Sequence, residues 1–475
     1  MNLKRNIIYQ FLYQILLLVI PLFLSKYVTN IFLKDTLGVY SYSYSIASYF
    51  VIIGMLGIQK YGTRVIAQNS NDEIKLRKNF WSLYYLHVLI SLISLIGYLL
   101  LALSMKEDRI VYFIQGIYVA SVIFDVTWLF YGIENFRSVV LKNSLVKIME
   151  ILLIIILVKN NNDLWLYTLI MSMSIFIGQA VMLPPAKRIV QPIPIEFKDI
   201  KPHIKPLFIL SISVIATSVY SFLDKTILGI LSQGGKGDVA LYEYSEKIIK
   251  IPLSMMTSIG TVMLPRMSTL SVNKDEKNLK NYVYASVILI SMIAIGAMFG
   301  VASISKNFVM IWYGEDYYGC IKGIILLSPL IFFVSFGDIV RTQFLIPNNK
   351  DKEYTISIVF GAILNFLLNL KLIPIFGLNG AIFATLITEA AICIAQFLCA
   401  KNDLPIKKYF IIIIPYFIFG IIMYLCNQML TKVIDYGYYS LLLQIILGMI
   451  VYGTLSSIYI KHLDPSLFNR IINKK

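Results

Sequence analysis

Charged side chains set inside apolar stretches are the residues of this chain best placed to do chemistry. Asp224-Lys225-Thr226-Ile227-Leu228-Gly229 leads through a glycine-rich turn (Gly234, Gly235, Gly237) into Tyr242-Glu243-Tyr244-Ser245-Glu246-Lys247-Ile248-Ile249-Lys250, and the segment ends at Leu264-Pro265-Arg266. Shifted back by 202 positions, Tyr40-Ser41-Tyr42-Ser43 lies over Tyr242-Glu243-Tyr244-Ser245, Arg64 over Arg266 and Asn79-Phe80 over Asn281-Tyr282. Closing three residues of the turn also lays Ser25-Lys26 over Asp224-Lys225. Several matches at one offset indicate a duplicated chain whose halves each carry a cation in an apolar hairpin. An ionisable group in such a setting costs several kcal/mol unless it faces a cavity or a partner, so its expected work is to bind or move charge.

The other ionisable residues in apolar runs are Asp125, Lys147, Glu150, Lys322, Asp338, Arg341 and Glu389. Some stand near the ends of those runs, where a long side chain reaches the interface by itself. Glu243, Lys247 and Lys250 share a helix face at i, i+4, i+7, with Glu246 four residues before Lys250. One reading is a self-paired stripe that lets a helix tolerate its charges. The other is a binding face, flanked by Tyr242 and Tyr244, whose hydroxyls and rings suit sugars. Tyr40-Ser41-Tyr42-Ser43-Tyr44-Ser45 gives an earlier helix a polar face of the same kind. Asp125 and Trp128 fall on one face at i, i+3, although Trp128 also fits an aromatic belt at the interface. Asp338 and Arg341 repeat that spacing and read as an intrahelical ion pair.

Enzyme signatures are missing. Gly234-Gly235-Lys236-Gly237 lacks the upstream Gly and the Ser or Thr of a phosphate-binding loop, so no ATP site is encoded. His87, His203 and His462 are scattered, which argues against metal or Ser-His-Asp chemistry. Cys320, Cys393, Cys399 and Cys426 form no CxxC pair and read as packing residues. No cofactor is expected beyond a coupling ion, H+ or Na+, with Asp224, Glu243 and Asp125 as candidate coupling carboxylates, since desolvation raises an acid's pKa.

The elements that must position these groups are membrane helices. With 58% hydrophobic and 14% charged residues, 475 residues have too little polar surface for a soluble body. Apolar windows of about 20 residues, enough for a ~30 Å hydrocarbon core, recur at 7–32, 38–58, 81–104, 111–131, 139–158, 164–183, 207–231, 239–263, 282–304, 321–345, 354–373, 378–400, 409–427 and 438–460. The expected fold is all-α and integral to the membrane, with about 14 transmembrane helices. Taking the loops alternately, one set holds 27 Lys and Arg and the other eight. Basic residues are retained in the cytoplasm, which places both termini there. The net charge of +16 is then topology and contact with anionic lipid, and no nucleic-acid partner is needed. The basic start at Met1–Arg5 reads as a retained first span, because no small-residue cleavage site follows. Six prolines and five basic residues at 184–206 mark a cytoplasmic linker that cannot continue a helix. The expected division is a lobe at 1–183, the linker at 184–206, a second lobe at 207–400, and two extra helices with a cytoplasmic tail at 401–475. Pro21 and Pro252, inside spans, read either as static bends or as moving gates.

Ser25-Lys26, Asp224-Lys225, Leu37-Gly38-Val39-Tyr40, Gly62-Thr63-Arg64, Asp125-x-x-Trp128-x-x-x-Gly132-x-Glu134 and the fourteen-span count resemble polysaccharide repeat-unit flippases (Wzx-type) of the multidrug/oligosaccharidyl-lipid/polysaccharide exporter superfamily. The resemblance covers nearly the whole chain. It implies two six-helix lobes related by a pseudo-two-fold repeat and a cationic cavity. It also implies movement of undecaprenyl-pyrophosphate-linked oligosaccharides from the inner to the outer leaflet by alternating access. The implied partners are that lipid-linked substrate, membrane lipids, and a polymerase and chain-length regulator of the same pathway. Fixed positive charge at low dielectric suits a pyrophosphate. Lys26 and Lys225 are expected to bind it first and Lys247 and Lys250 second, with Tyr42, Tyr244 and Trp128 toward the sugars. The alternatives are a drug/cation antiporter of the same superfamily, which favours an acidic cavity, and a membrane polymerase or glycosyltransferase, which the short outer loops disfavour.

Overall fold

The computed structural model describes residues 21–466, and at 210 and 212–221 the backbone alone. Within these residues all regular structure is helical. The chain divides into two compact units, the first ending at Ile230 and including Gly235–Ala240, the second comprising Leu231–Gly234 and the chain from Leu241 onward. The division falls later than the 184–206 linker, so Lys26 and Lys225 lie in the same unit.

The first unit holds α1 (21–31), α2 (Lys34–Met55), α3 (Ile58–Asn69), α4 (Glu73–Ser104), α5 (Arg109–Ser121), α6 (Thr127–Gly132), α7 (Phe136–Leu157), α8 (Leu164–Ala180), α9 (Leu183–Ile189) and all but the end of α10 (Phe197–Leu231). Two of its membrane segments are discontinuous. α2 stops at Leu56 (φ 37°) and Gly57 (φ 69°), and the chain restarts as α3. Glycine takes this left-handed conformation at no steric cost, whereas Leu56 is strained in it. α5 passes through a short 3₁₀ turn at Val122–Phe124 into an extended Asp125, after which α6 begins. The second halves, α3 and α6, pack closely because two glycines face their partners. A Cβ on Gly62 would stand 2.6 Å from the Trp128 ring, and one on Gly132 would stand 2.5 Å from Ile66.

Among the described residues of the unit, buried apolar groups form a cluster on either side of these breaks. One gathers Tyr61, Phe80, Trp81, Trp128, Phe130 and Leu207 with their neighbours. The other joins Ile46, Tyr98, Tyr112 and Val119. The linker belongs to the first cluster and is not a bare tether. Pro184 and Pro185 sit in the first turn of α9, where a missing N–H costs nothing, and α10 already begins at Phe197 with Pro202 and Pro206 inside it. The expectation of a non-helical 184–206 therefore holds only for 190–196. Trp81 Nε1 donates to the carbonyls of Val190 and Gln191 at 3.1 and 3.2 Å, Lys78 pairs with Asp199 at 2.8 Å, and the Tyr61 hydroxyl meets His203 Nδ1 at 3.0 Å.

The second unit holds α11 (Gly235–Val272) from Leu241, then α12 (Glu276–Trp312), α13 (Gly319–Leu327), α14 (Pro329–Val340), α15 (Asp351–Phe376), α16 (Leu378–Cys399), α17 (Ile406–Val433) and α18 (Tyr438–Leu463). α17 and α18 pack on α12 and on each other. Buried amides join them: Asn307 Nδ2 donates to Ser440 Oγ and to Gln444 Oε1, and Asn427 Nδ2 donates to Ser303 Oγ.

Eleven membrane segments among the described residues are long and apolar enough to span. They match eleven of the fourteen expected windows. Of the other three, 139–158 carries Lys142, Lys147 and Glu150 close together. The window 7–32 lies outside the described residues as far as 20, and 207–231 is described partly by backbone alone.

Two outcomes follow. Gly62→Val forces a side chain into the Trp128 ring and should cost about 1–3 kcal/mol, read as a lower Tm in detergent. Gly97→Ala, whose Cβ meets Phe50 at an ordinary 3.4 Å, should leave Tm nearly unchanged. Burial holds the His203 imidazole below its usual range, so acid protonates the detached linker before the docked one, and docking weakens as pH falls below about 6.5. Hydrogen exchange at 197–206 should accelerate in that range, and His203→Asn should remove the acceleration.

Candidate functional site

In the first unit Lys26 is half-buried on α1, and the hydroxyls beside it turn back to their own helix: Ser25 Oγ donates to the Leu22 carbonyl and Thr29 Oγ1 to that of Ser25. Asp224 and Lys225 are buried on α10. The following residue, Thr226, meets the Tyr49 hydroxyl at 3.0 Å. One turn further, Gly229 lies so close to the half-buried Tyr42 ring that a Cβ there would stand 2.3 Å from it. Gly38 comes equally close to the carbonyl of Lys236. The tyrosine- and serine-rich part of α2 is thus applied to α10 at Gly229 and to the start of α11 at Lys236. Its serines bond within α2, Ser43 Oγ to the Tyr40 carbonyl and Ser45 Oγ to that of Ser41, and Tyr44 stacks on Tyr118 at 5.0 Å.

Asp125 stands in the break between α5 and α6, so it and Trp128 do not share a helix face as expected; the extended backbone at Asp125 removes that register. Asp125 acts as a cap for α6. Its Oδ1 accepts from Thr127 N at 2.8 Å and from Thr127 Oγ1 at 2.6 Å, and its Oδ2 from Gln179 Nε2 at 3.3 Å. Gln179 Oε1 in turn accepts from Lys142 Nζ at 3.4 Å. The Trp128 indole is 0% exposed, stacked on Phe80 at 5.0 Å, and its N–H donates to the Asp125 carbonyl. Its ring presents no exposed face in this structure.

In the second unit each lysine of the α11 stripe is paired with the glutamate one turn before it: Lys247 with Glu243 at 3.0 Å and Lys250 with Glu246 at 2.8 Å. Lys247 also lies 4.1 Å from the centre of the Tyr244 ring. Tyr244 is 2% exposed and packs on Tyr313 and Tyr317, with its carbonyl accepting from the Tyr313 hydroxyl. Lys250 is the most open of these residues, its side chain 57% exposed. Arg341 pairs with buried Asp338, against which Gly260 closes tightly. Lys147 and Ser174 both bond to Glu150. Among the described residues no group of three or more His, Cys, Asp or Glu is placed to hold a metal ion.

Two features escaped the sequence reading. Arg64 and Arg266, matched by the internal offset but given no role, are both exposed, and each guanidinium lies over a tyrosine, Tyr61 at 5.5 Å and Tyr282 at 5.9 Å. They stand in different units. The offset already carried that signal. The Gln179–Lys142 extension of Asp125 had none, because it joins α8 and α7 across the packing.

The model of the polysaccharide biosynthesis protein family matches residues 3–271. This chain belongs to that family. It is 24% identical over 404 residues to a Shigella dysenteriae protein named "Putative O-antigen transporter", covering 84% of this chain and 100% of that one. It is 27% identical over 162 residues to the lipid II flippase MurJ of Bacillus subtilis, covering 34% of this chain and 30% of that protein. Among solved structures, lipid II flippase MurJ superposes with a TM-score of 0.77 at 18% identity, covering 97% of this chain and 99% of MurJ. An inward-facing multidrug MATE transporter gives 0.60 at 12% identity, with 83% and 94% covered. The fold is that of the multidrug/oligosaccharidyl-lipid/polysaccharide exporter superfamily, a multi-pass helical membrane protein, and the resemblance seen in the sequence holds.

Asp125→Ala removes the α6 cap and should cost about 1–2 kcal/mol. Asp125→Asn keeps one acceptor and should cost less than half of that. Thermal unfolding in detergent separates the two, and lost transport in a stable Asp125→Asn protein would assign the charge itself a role.

Proposed function

We propose that this protein flips undecaprenyl-pyrophosphate-linked oligosaccharide repeat units from the inner to the outer leaflet of the cell membrane by alternating access, in the synthesis of capsule, exopolysaccharide or O-antigen. The observation that carries this reading is the set of cations matched by the internal repeat in an exporter fold: Lys26 with Lys225, and Arg64 with Arg266. The relationship to a protein named for O-antigen transport, along that protein's full length, supports it. A pyrophosphate is a divalent or more highly charged anion that takes charge-assisted hydrogen bonds well, and fixed ammonium and guanidinium groups spare it the cost of leaving water. Lys247 and Lys250, each paired with the glutamate one turn before it, are the second proposed pair.

Both termini face the cytoplasm in this reading, as the 27-to-eight bias of Lys and Arg between alternate loops supports. An inside-negative potential then drives an anionic head outward by about 2.3 kcal/mol per charge per 100 mV. Coupling to H+ or Na+ through Asp224, Glu243 or Asp125 adds to that drive. A polymerase and a chain-length regulator are the proposed consumers of the flipped unit. The MATE-like fold supports drug/cation antiport as a second reading, but a cation substrate calls for acidic residues where this chain has lysine and arginine.

Deleting the gene should strand lipid-linked repeat units on the inner leaflet. Lys26→Ala and Lys225→Ala should each reduce export by about 10- to 100-fold, the worth of one charge-assisted hydrogen bond, while the protein still inserts. Normal export by the double variant would remove the proposed site.

A further inference from the structure

The region between the two apolar clusters of the first unit holds a titratable group that the proposed function does not use. His87, on α4, is 1% exposed. Its Nε2 lies 2.7 Å from the carbonyl of Val122, in the 3₁₀ turn where α5 gives way to α6. Its Nδ1 is buried without a hydrogen bond and faces the carbonyl of Gly54, two residues before the break that separates α2 from α3. Each carbonyl already has one donor: Asp125 N donates to Val122 O at 3.0 Å, and Ser91 Oγ to Gly54 O at 3.2 Å. Each has a second lone pair free for the ring.

A neutral imidazole has one N–H and cannot satisfy both carbonyls. With Nε2–H on Val122, the Nδ1 lone pair is turned toward another lone pair. Imidazolium has two N–H groups, and the two acceptors stand on its two sides. We propose that His87 is a proton-binding site whose imidazolium ties the α2–α3 break to the α5–α6 break, and whose deprotonation leaves the first held to α4 by Ser91 and Ser94 alone.

The neighbours fit a switch. Asp125, across the α5–α6 break, is the one charged side chain acting on the ring, and it is held by Thr127 and Gln179, with Lys142 behind Gln179. α2 offers backbone and apolar groups at this level. On α3, Lys60 and Arg64 are exposed and Tyr61 is engaged by His203. α4 runs unbroken through both apolar clusters, and the two breaks are the places where α2–α3 and α5–α6 can turn against it. A proton taken up at His87 therefore changes how firmly the broken segments are fastened to α4, which links proton binding to a movement inside the first unit.

The site is testable apart from any substrate. The chain has three histidines, so 15N-histidine label in a His203→Asn, His462→Asn protein in nanodiscs leaves one imidazole to observe; should that background fold poorly, the signal lost on His87→Gln in the otherwise native chain identifies it. We expect His87 to pass from one protonated nitrogen to two as the pH is lowered through the acid range. Spin labels at Gln68 and Ile110, one exposed position beside each cluster and both in a cysteine-free chain, should change their distance distribution along the same pH curve. His87→Gln should abolish that change. A ring that keeps one neutral tautomer throughout, or one that titrates while the label distance stays fixed, overturns the proposal. The consequence for transport rests on the flippase reading: flipping of a lipid-linked pyrophosphate in vesicles should lose its pH dependence in His87→Gln. If the native chain flips no such lipid, the proposed function fails, while the imidazole and distance measurements still decide the site.

Discussion

A backbone N–H or C=O released inside hydrocarbon has no water to turn to, and the first unit is shaped by that constraint. Two of its membrane segments break, and each break exposes peptide groups that other parts of the chain must receive. Asp125 supplies an acceptor for the start of α6, His87 a donor for Val122, and Ser91 and Ser94 donors for the carbonyls of Gly54 and Phe50. Most of the polar residues buried at this level answer to an interrupted helix. Their cost is offset by what an unbroken helix cannot provide, a place in the membrane interior where direction changes and a charged group is tolerated.

Much of the architecture was legible from residue type alone. The membrane class followed from composition, and eleven windows correspond to helices long enough to span. The expectation of a duplication came from matched tyrosines and one arginine pair at a single offset, with the lysine pair joining once three turn residues are closed. What stayed hidden has a common origin, in that interruption of a helix leaves little trace in hydropathy. The window over 111–131 is apolar throughout, yet it contains the 3₁₀ turn and the extended Asp125. Nothing in its periodicity announces this, because the break depends on Asp125 accepting from Thr127 and from Gln179, the latter more than fifty residues away. The shared face expected for Asp125 and Trp128 is absent for the same reason. Its spacing from Asp125 presupposed a continuous helix, and its ring instead fills the space that Gly62 leaves.

The candidate site was legible as a set of residues and not as an arrangement. Glutamate and lysine at i, i+4 on α11 announced both a binding face and a self-paired stripe, and side-chain rotamers decide between them. Lys247 folds back onto Glu243 and Tyr244, which spacing permits but does not require. Arg64 and Arg266 were visible through the repeat, but their exposure depends on which way the helices turn. The linker at 184–206 was recognised by its prolines. Its docking through Trp81, Lys78 and Tyr61 rests on partners scattered over about twenty residues of α3 and α4.

The amide contacts that fasten α17 and α18 to α12 bear on how such a chain can be altered over evolution. The C-terminal pair looks dispensable by sequence, since it lies outside the internal duplication. But Asn307, Ser303 and the Met292 carbonyl, which receives the Tyr452 hydroxyl, would be left facing lipid if the pair were lost. A lineage that sheds or exchanges these helices must rewrite α12 in the same step. Removing the last two helices without altering α12 would bare these polar groups to hydrocarbon.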